Sequence, residues 1–381
     1  MKISCTQENL NQTINIVGHI ASKNSNLPIL SNILIKAENK NLTFSATNLE
    51  IGITAAMRGK VESDGEFSID AKLLSSYISL LPKERIDLEL ADEELKIQCQ
   101  KQKTKIKGQG AADFPLIPKI DKQNPYILSV KDLKDAIYGV SFSASTSDIR
   151  PELSGVFLSF NGEELVLAAT DSYRLAEKKV KLISNEKQKN LTDFQGEKVI
   201  VPVKTLQEVS RILGLIKEDE SMEVVDTVEI YLGENQIMFV YNGVELVSRL
   251  IEGQYPDYTQ IIPDKFGSKL KINTTELTKA VKVTSLFTKS GVFDVRLDYN
   301  SDNELKITSS SSQTGENTSS VDMEKSGDSG EIVLNYRYLL DGLQNIGSEN
   351  IEIEITDSNN PCVIRSENNK DYLYLIMPIR Q

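Results

Sequence analysis

The stretch from Arg150 to Leu175, RPELSGVFLSFNGEELVLAATDSYRL, restates an earlier one, LPILSNILIKAENKNLTFSATNLEI, from Leu27 to Ile51. A shift of 123 residues carries Pro28 onto Pro151, Leu30 onto Leu153, Ser31 onto Ser154, Leu42 onto Leu165, Ala46 onto Ala169 and Thr47 onto Thr170, with no gap. A self-match at one fixed offset marks a repeated structural unit, and it limits the possible folds more than any local propensity does. The unit here is domain-sized.

Hydrophobic spacing fills in each unit. Leu10, Ile14, Val17 and Ile20 recur at helical spacing over residues 8–21, and the alternating runs ILIKA, LTFSAT and IGITAAM predict strands. Asp70 stands in capping position before Leu73, Leu74, Tyr77 and Leu81, with Pro82 ending that helix. IDLELAD and ELKIQCQ predict two more strands, and residues 108–118 read as a linker. The second copy places Leu133 opposite Leu10 and Pro202 opposite Asp70; the third, fainter, runs through LKINTTELTKAVKVTSLF, VRLDYNSDNELKITSSSS and EIVLNYRYLLDGLQNIG, with Asn335 opposite Pro202. The expected organisation is three domains, 1–122, 123–265 and 266–381, each with two helices laid on antiparallel strands, an α+β architecture. The extra length of copy two falls in residues 181–197, which predict an enlarged loop. Residues 309–330 are rich in Ser and Gly and resemble a linker by composition. The repeat frame puts strands there instead, so ordered hairpins are expected.

Lys and Arg total 43 against 55 Asp and Glu, a net charge of −12, which taken alone argues against a nucleic-acid partner. The charge is unevenly placed: the six helical segments carry a net +4, leaving −16 for everything else. Either helices simply tolerate Lys better than strands do, or the cations share a face toward a polyanion. The candidates for such a face are Lys72, Lys131, Lys134, Arg150, Lys204, Arg211, Lys279, Lys282, Lys289 and Arg337. Scattered single charges of this kind suit sequence-blind attraction to phosphates and cannot read bases.

Catalytic chemistry finds no foothold. The one histidine, His19, sits beside Val17 and Ile20 and predicts a buried or half-buried structural side chain. Cys5, Cys99 and Cys362 are odd in number and far apart, which predicts buried thiols in a reducing compartment, with no zinc site. Asp298, Asn300 and Asp302 imitate the start of a calcium loop, but Asn303 replaces the required Gly and Ser309 the closing Glu. No metal, cofactor or enzymatic activity is therefore expected. With no apolar run long enough to insert in a membrane and no apolar segment in MKISCTQENL, the expected location is the cytoplasm.

Four phrases then acquire weight together: AADFP at 111–115, TDSYRL at 170–175, YPDY at 255–258 and LIMPIR at 375–380. With the three tandem copies, they resemble the bacterial DNA polymerase III beta subunit family, the sliding clamps, along the whole chain. The resemblance implies a DNA clamp fold: a head-to-tail homodimer whose six domains form a ring, helices lining the hole, with double-stranded DNA encircled without regard to sequence. A ring holds DNA by topology, so its inner face needs only a mild positive field while the outside stays acidic. Also implied is a non-catalytic processivity role, with a peptide-docking pocket serving the polymerase III alpha subunit, the clamp loader and other proteins bearing a clamp-binding motif. The residues implied for that pocket are Leu153, Thr170, Ser172, Tyr173, Arg174, Leu175, Pro256, Gln260, Ile261, Pro361, Leu375, Met377, Pro378, Ile379 and Arg380. Tyr173 stands where the family often has His, Gln260 where a basic residue can occur, and Gln381 where the family ends in an apolar residue. These departures leave the peptide preference open. The implied dimer contact joins Leu286 and Phe287 to the strand around Thr104 and Ile106. Two other classes share parts of this reading: a repeat-built scaffold that never touches DNA, and a hydrolase using paired carboxylates.

Overall fold

Helices start where strands end, because the last strand residue supplies the cap that a helix N-terminus lacks. Thr6 ends strand Lys2–Thr6 and its hydroxyl accepts from the Asn9 amide at 3.3 Å, opening helix α1, Gln7–Val17. Asp70 ends strand Gly65–Asp70 and accepts from the Leu73 amide at 2.7 Å, opening α2, Ala71–Ser79. Helices α3, Val130–Ser141, and α4, Val203–Leu215, likewise follow directly on strands, which end at Ser129 and Pro202. Asn273 caps α5, Thr274–Ser285, and Asn335 caps α6, Tyr336–Asn345. Along α1 the spacing of Leu10, Ile14 and Val17 turns all three onto the sheet, where they are fully buried. Each such burial contributes about 1.5–3 kcal/mol.

The computed structural model describes all residues except 22–26, 148, 184–194, 216–225, 290 and 381. Its strands form three antiparallel sheets in two compact bodies. In the first body, built mainly by residues 1–131 and 208–250, one sheet runs Lys60–Ser63, Lys2–Thr6, Arg85–Ala91, Glu94–Cys99, Gln102–Lys107. The other runs Tyr126–Ser129, Thr227–Leu232, Gln236–Tyr241, Val244–Arg249, Ile51–Ala56, Asn41–Thr47, Asn32–Glu38, Gly65–Asp70. In the second body a sheet of twelve strands runs Gln195–Pro202, Gly155–Asn161, Glu164–Thr170, Arg174–Lys181, Tyr372–Ile376, Cys362–Ser366, Asn350–Ile355, Ser268–Asn273, Gly315–Gly327, Glu304–Ser311, Asp294–Asp298, Glu331–Asn335.

Sheets therefore cross the borders between copies. Val244–Arg249, the last strand of copy two, pairs with Ile51–Ala56 of copy one, matching Ser248 to Ile51 and Val247 to Gly52. Tyr372–Ile376, the last strand of copy three, pairs with Arg174–Lys181 of copy two, matching Ile376 to Arg174 and Leu375 to Leu175. Each copy lends a strand to the one before it, which is why the compact bodies follow sheets and not repeats.

Residues 309–330 form the expected hairpin, Glu304–Ser311 against Gly315–Gly327. Of the enlarged loop expected at 181–197, residues 184–194 lie outside the described residues. Its last part belongs to the strand Gln195–Pro202, with Glu197 paired to Phe160. The expectation for His19 is overturned: its side chain is 60% exposed, because α1 gives way at Gly18 to a short 3-10 turn that swings it outward. There its Nδ1 lies 2.7 Å from Oε2 of the buried Glu208 on α4.

Candidate functional site

The turn between strands Glu164–Thr170 and Arg174–Lys181 carries most of the residues singled out around 170–175. The Thr170 hydroxyl donates to the carbonyl of Arg174 at 2.6 Å and accepts from the Ser172 amide at 3.1 Å; Asp171 Oδ1 accepts from the amides of Tyr173 and Arg174, both at 3.0 Å. The turn is locked by its own side chains. Ser172 is held at φ 77°, in the left-handed region, and Tyr173 projects with 62% of its surface exposed.

Beneath the turn lies an apolar cluster of Leu153, Ala168, Leu175, Ile200, Tyr255, Tyr258, Val363, Leu373 and Leu375, with Met377 packed against it. Leu153, Leu175 and Leu375, drawn from distant stretches, are thus brought together and are buried. Tyr173 of the turn, Ile261 beside the YPDY segment and Ile379 of the tail are large apolar side chains left exposed. The C-terminal tail is tied over this region: the Met377 amide donates to the Tyr173 carbonyl at 2.8 Å, and the Ile379 amide to the Val333 carbonyl at 2.8 Å. Pro361 is buried, Pro256 and Pro378 are half-buried, and Gln260 and Arg380 are exposed. From the segment around YPDY, Ile262 packs on the cluster while Ile261 faces solvent. Sequence reading took Pro256 from that segment and passed over Tyr255 and Tyr258, whose rings complete the cluster.

Arg174 proves to be internal. Its Nε donates to Asp171 at 3.0 Å, its Nη1 to Asp341 on α6, and its Nη2 to the carbonyl of Phe142 at the end of α3 at 2.8 Å. The guanidinium also lies 4.6 Å from the centroid of Tyr338, on which Tyr173 stacks. A planar fork with its donors engaged this way positions the turn against α3 and α6.

The repeat supplies a control. At the same joint in copy one, Gly52 occupies the position of Leu175 and Val247 that of Leu375. A Cβ on Gly52 would lie 2.7 Å from Cγ2 of Ile117, so a side chain of the linker already fills that place. At the joint between copies two and three the same two positions hold the buried side chains of Leu175 and Leu375.

Family models match three consecutive segments: the DNA polymerase III beta subunit N-terminal domain at residues 1–118, its central domain at 127–257 and its C-terminal domain at 259–380. The chain belongs to the DNA polymerase III beta subunit family. It is similar to the beta sliding clamp of Synechocystis sp., 29% identical over all of this chain and 99% of that one. Among solved structures, the DNA polymerase sliding clamp of Bacillus subtilis matches at TM-score 0.90 with 28% identity, covering 100% of this chain and 99% of that one. A sliding clamp of Pseudomonas aeruginosa bound to griselimycin matches at TM-score 0.90 with 26% identity and full coverage of both chains. The clamp assignment thus prevails over the scaffold reading.

Within this family frame the remaining candidates can be placed. Lys72, Lys131, Lys204, Lys279, Lys282, Lys289 and Arg337 are exposed, each on a helix or close to a helix end, and Lys134 is half-buried on α3. Arg337 lies 3.7 Å from the centroid of Phe293. Arg211 is occupied: it donates to both oxygens of Glu208 and to the carbonyls of Asn15 and Ile16, clasping α4 to the end of α1. Arg150 stands apart from the helices, 3.0 Å from Glu152 and 3.3 Å from the Ser172 hydroxyl. Leu286, the residue that caps the end of α5, is 73% exposed and Phe287 half-buried; Thr104 is half-buried and Ile106 buried on the edge strand Gln102–Lys107. Among the described residues no group of three His, Cys, Asp or Glu could hold a metal ion, and no helix is long and apolar enough to cross a membrane.

Proposed function

We propose that two copies of this chain close head to tail into a ring that encircles duplex DNA in the cytoplasm. The ring acts without catalysis, holding a replicative polymerase, the clamp loader and repair proteins by their peptides. The observation that carries this reading is a pair of unpaired strand edges. Copies one and two share a sheet, and so do copies two and three, by the same strand exchange. One exchange remains unmade: among the described residues the last strand of copy one, Gln102–Lys107, has no partner on its outer side, nor does the 315–322 part of Gly315–Gly327. Open edges of this kind invite pairing with another chain. A second copy is the matching partner, because the lending strand and the receiving strand come from opposite ends of the chain, and a two-chain ring satisfies both ends at once.

The register supports the same exchange. Ser248 faces Ile51 and Ile376 faces Arg174, and an exchange in that register would set Ile106 opposite Gly315 and Lys105 opposite Glu316 of the second copy. The charges agree: 102–107 holds Lys103, Lys105 and Lys107 with no acid, while 315–322 holds Glu316 and Asp322 with no base. Apolar side chains wait at the neighbouring helix ends, Leu286 after α5 and, on α2, Leu73 at the position that α6 gives to Tyr338.

DNA would be retained by enclosure, with Lys72, Lys131, Lys134, Lys204, Lys279, Lys282, Lys289 and Arg337 supplying a mild phosphate attraction. Peptides would dock on the apolar cluster of the second body with an aliphatic or aromatic anchor. The experiment is retention on circular DNA. Protein loaded on a closed circle should stay bound in salt that strips proteins held by phosphate contacts, and should leave when the circle is cut. Equal retention on cut and closed DNA at that salt would overturn enclosure.

A further inference from the structure

On the same face of the twelve-stranded sheet as Leu175 there is a hollow of about 660 Å³ that adjoins the docking cluster and shares Phe157, Ile200, Tyr255 and Tyr258 with it. Its geometry follows from strand register. Leu175, Glu177 and Lys179 point to one face of strand Arg174–Lys181, being two residues apart. In the row of Glu177 stand Ala168, Phe157 and Ile200; in the next row Lys179, Val166, Ser159 and Lys198 face one another across four strands. The two lysines therefore stand at opposite sides of the hollow, about 14 Å apart by strand spacing, and their row lies about 13 Å along the strand from Leu175. The hollow's inner wall is aromatic. Phe157 stacks on Tyr255 at 5.1 Å and 21°, and Tyr258 meets both rings edge-on.

Which ligand such a hollow suits is decided by which polar groups remain uncommitted. Each of the two carboxylates in the hollow takes neighbouring donors: Glu177 Oε2 takes the Tyr258 hydroxyl at 2.6 Å, and the two oxygens of Asp257 take Thr259 at 2.6 Å and Gln260 at 2.8 Å. Lys179 and Lys198 are exposed and make no ion pair among the described residues, although Lys198 adds a small attraction to the hydrogen bonds of Thr259 and Gln260 that hold the Asp257 carboxyl below its usual range. Asn161 accepts from Ser159 through Oδ1 and keeps its amide hydrogens for a ligand. Free donors over an aromatic wall fit a carboxylate carried on a peptide chain.

We propose that this hollow is a second subsite of the docking surface, which takes an Asp or Glu about four residues along a docked peptide from its apolar anchor. The inference rests on the docking reading above and adds a charge preference to it. Exposed pairs are individually weak, so two lysines together give roughly a fivefold preference at low salt, shrinking as salt rises.

The test uses the full chain and fluorescence anisotropy with labelled peptides that share a Leu-Phe anchor in a Gly, Ser and Gln body. One is neutral, one carries two Glu placed four and five residues from the anchor, and one carries two Lys there, with both flank directions synthesised. The expected ratio of acidic to neutral affinity is about five in the unaltered protein. It should fall to about one in the Lys179→Gln, Lys198→Gln variant. It should drop below one in Lys179→Glu, Lys198→Glu, where the lysine-bearing peptide becomes the preferred one. A ratio near one in the unaltered protein, or one that ignores both variants, overturns the subsite while leaving anchor docking intact. Failure of all three peptides to bind sinks the docking reading and the subsite with it.

Discussion

Leu49 and Ser172, 123 residues apart, hold the same left-handed backbone angle, φ 77° at each. The bonds around them match as well. Thr47 donates to the Ile51 carbonyl and accepts from the Leu49 amide, both at 3.0 Å, as Thr170 does with Arg174 and Ser172. Asn48 does for Glu50 and Ile51 what Asp171 does for Tyr173 and Arg174. One turn has been kept twice, once in copy one and once beside the apolar cluster around Leu175.

A left-handed angle at a residue with a Cβ is strained, so Ser172→Gly should leave stability unchanged or raise it by about 1 kcal/mol. Ser172→Val should lower it by about 1–3 kcal/mol, because branching at Cβ suits that region least. Urea unfolding midpoints for the pair decide it; equal midpoints would mean the turn is not held at this angle in solution.

Ring closure predicts a charge-swap result. Lys105→Glu should weaken the dimer by setting a carboxylate against Glu316, and adding Glu316→Lys should restore it, apart from the present contact of Lys105 with Glu94 at 3.6 Å. Leu286→Asp with Phe287→Asp should give monomers, since each apolar side chain gains about 1.5–3 kcal/mol from burial. Light scattering that still reports a dimer after the double aspartate change places the interface elsewhere.

Removal of residues 377–381 strips Met377 from the apolar cluster and the tail's two bonds to Tyr173 and Val333. Loss of one apolar anchor costs about 1.5–3 kcal/mol, or roughly ten- to hundredfold in affinity. Peptide anisotropy should therefore collapse toward background, while the mass in solution and retention on closed circles stay as they were. Unchanged peptide affinity would remove the tail from the site.

The thiols give a pH prediction. Burial, reinforced by Asp87, pushes Cys5 up from 9.0 to about 12; burial, reinforced by Glu354, does the same for Cys362, and Cys99 is raised chiefly by burial. Folded pKa values above the unfolded one mean that stability is fully present below about pH 9 and is lost as pH rises toward 12. At pH 8 the native thiols should react with a disulfide reagent far more slowly than in denaturant. Native labelling at the denatured rate would show that the cysteines are not buried.

The offset of 123 residues, the capping residues Asp70 and Asn335 and the alternation of the strands were enough to determine three tandem α+β units, because each of these is a local pattern with a fixed period. Even the Ser- and Gly-rich hairpin at 304–327 was legible once the repeat frame was applied. What the sequence could not decide is what each side chain meets across space. Arg174 looked like a free donor beside a pocket, and Arg211 like one more cation on a helix. The fold instead engages the first with Asp171, Asp341 and the Phe142 carbonyl, and the second with Glu208 and the end of α1. His19, flanked by apolar residues, turns outward because α1 ends at Val17, two residues before it. At Gly52 the place of a side chain is taken by Ile117, a contact made 65 residues further along the chain. Periodicity is written residue by residue, whereas hydrogen-bond partners and filled hollows exist only after strands of different copies have been laid edge to edge.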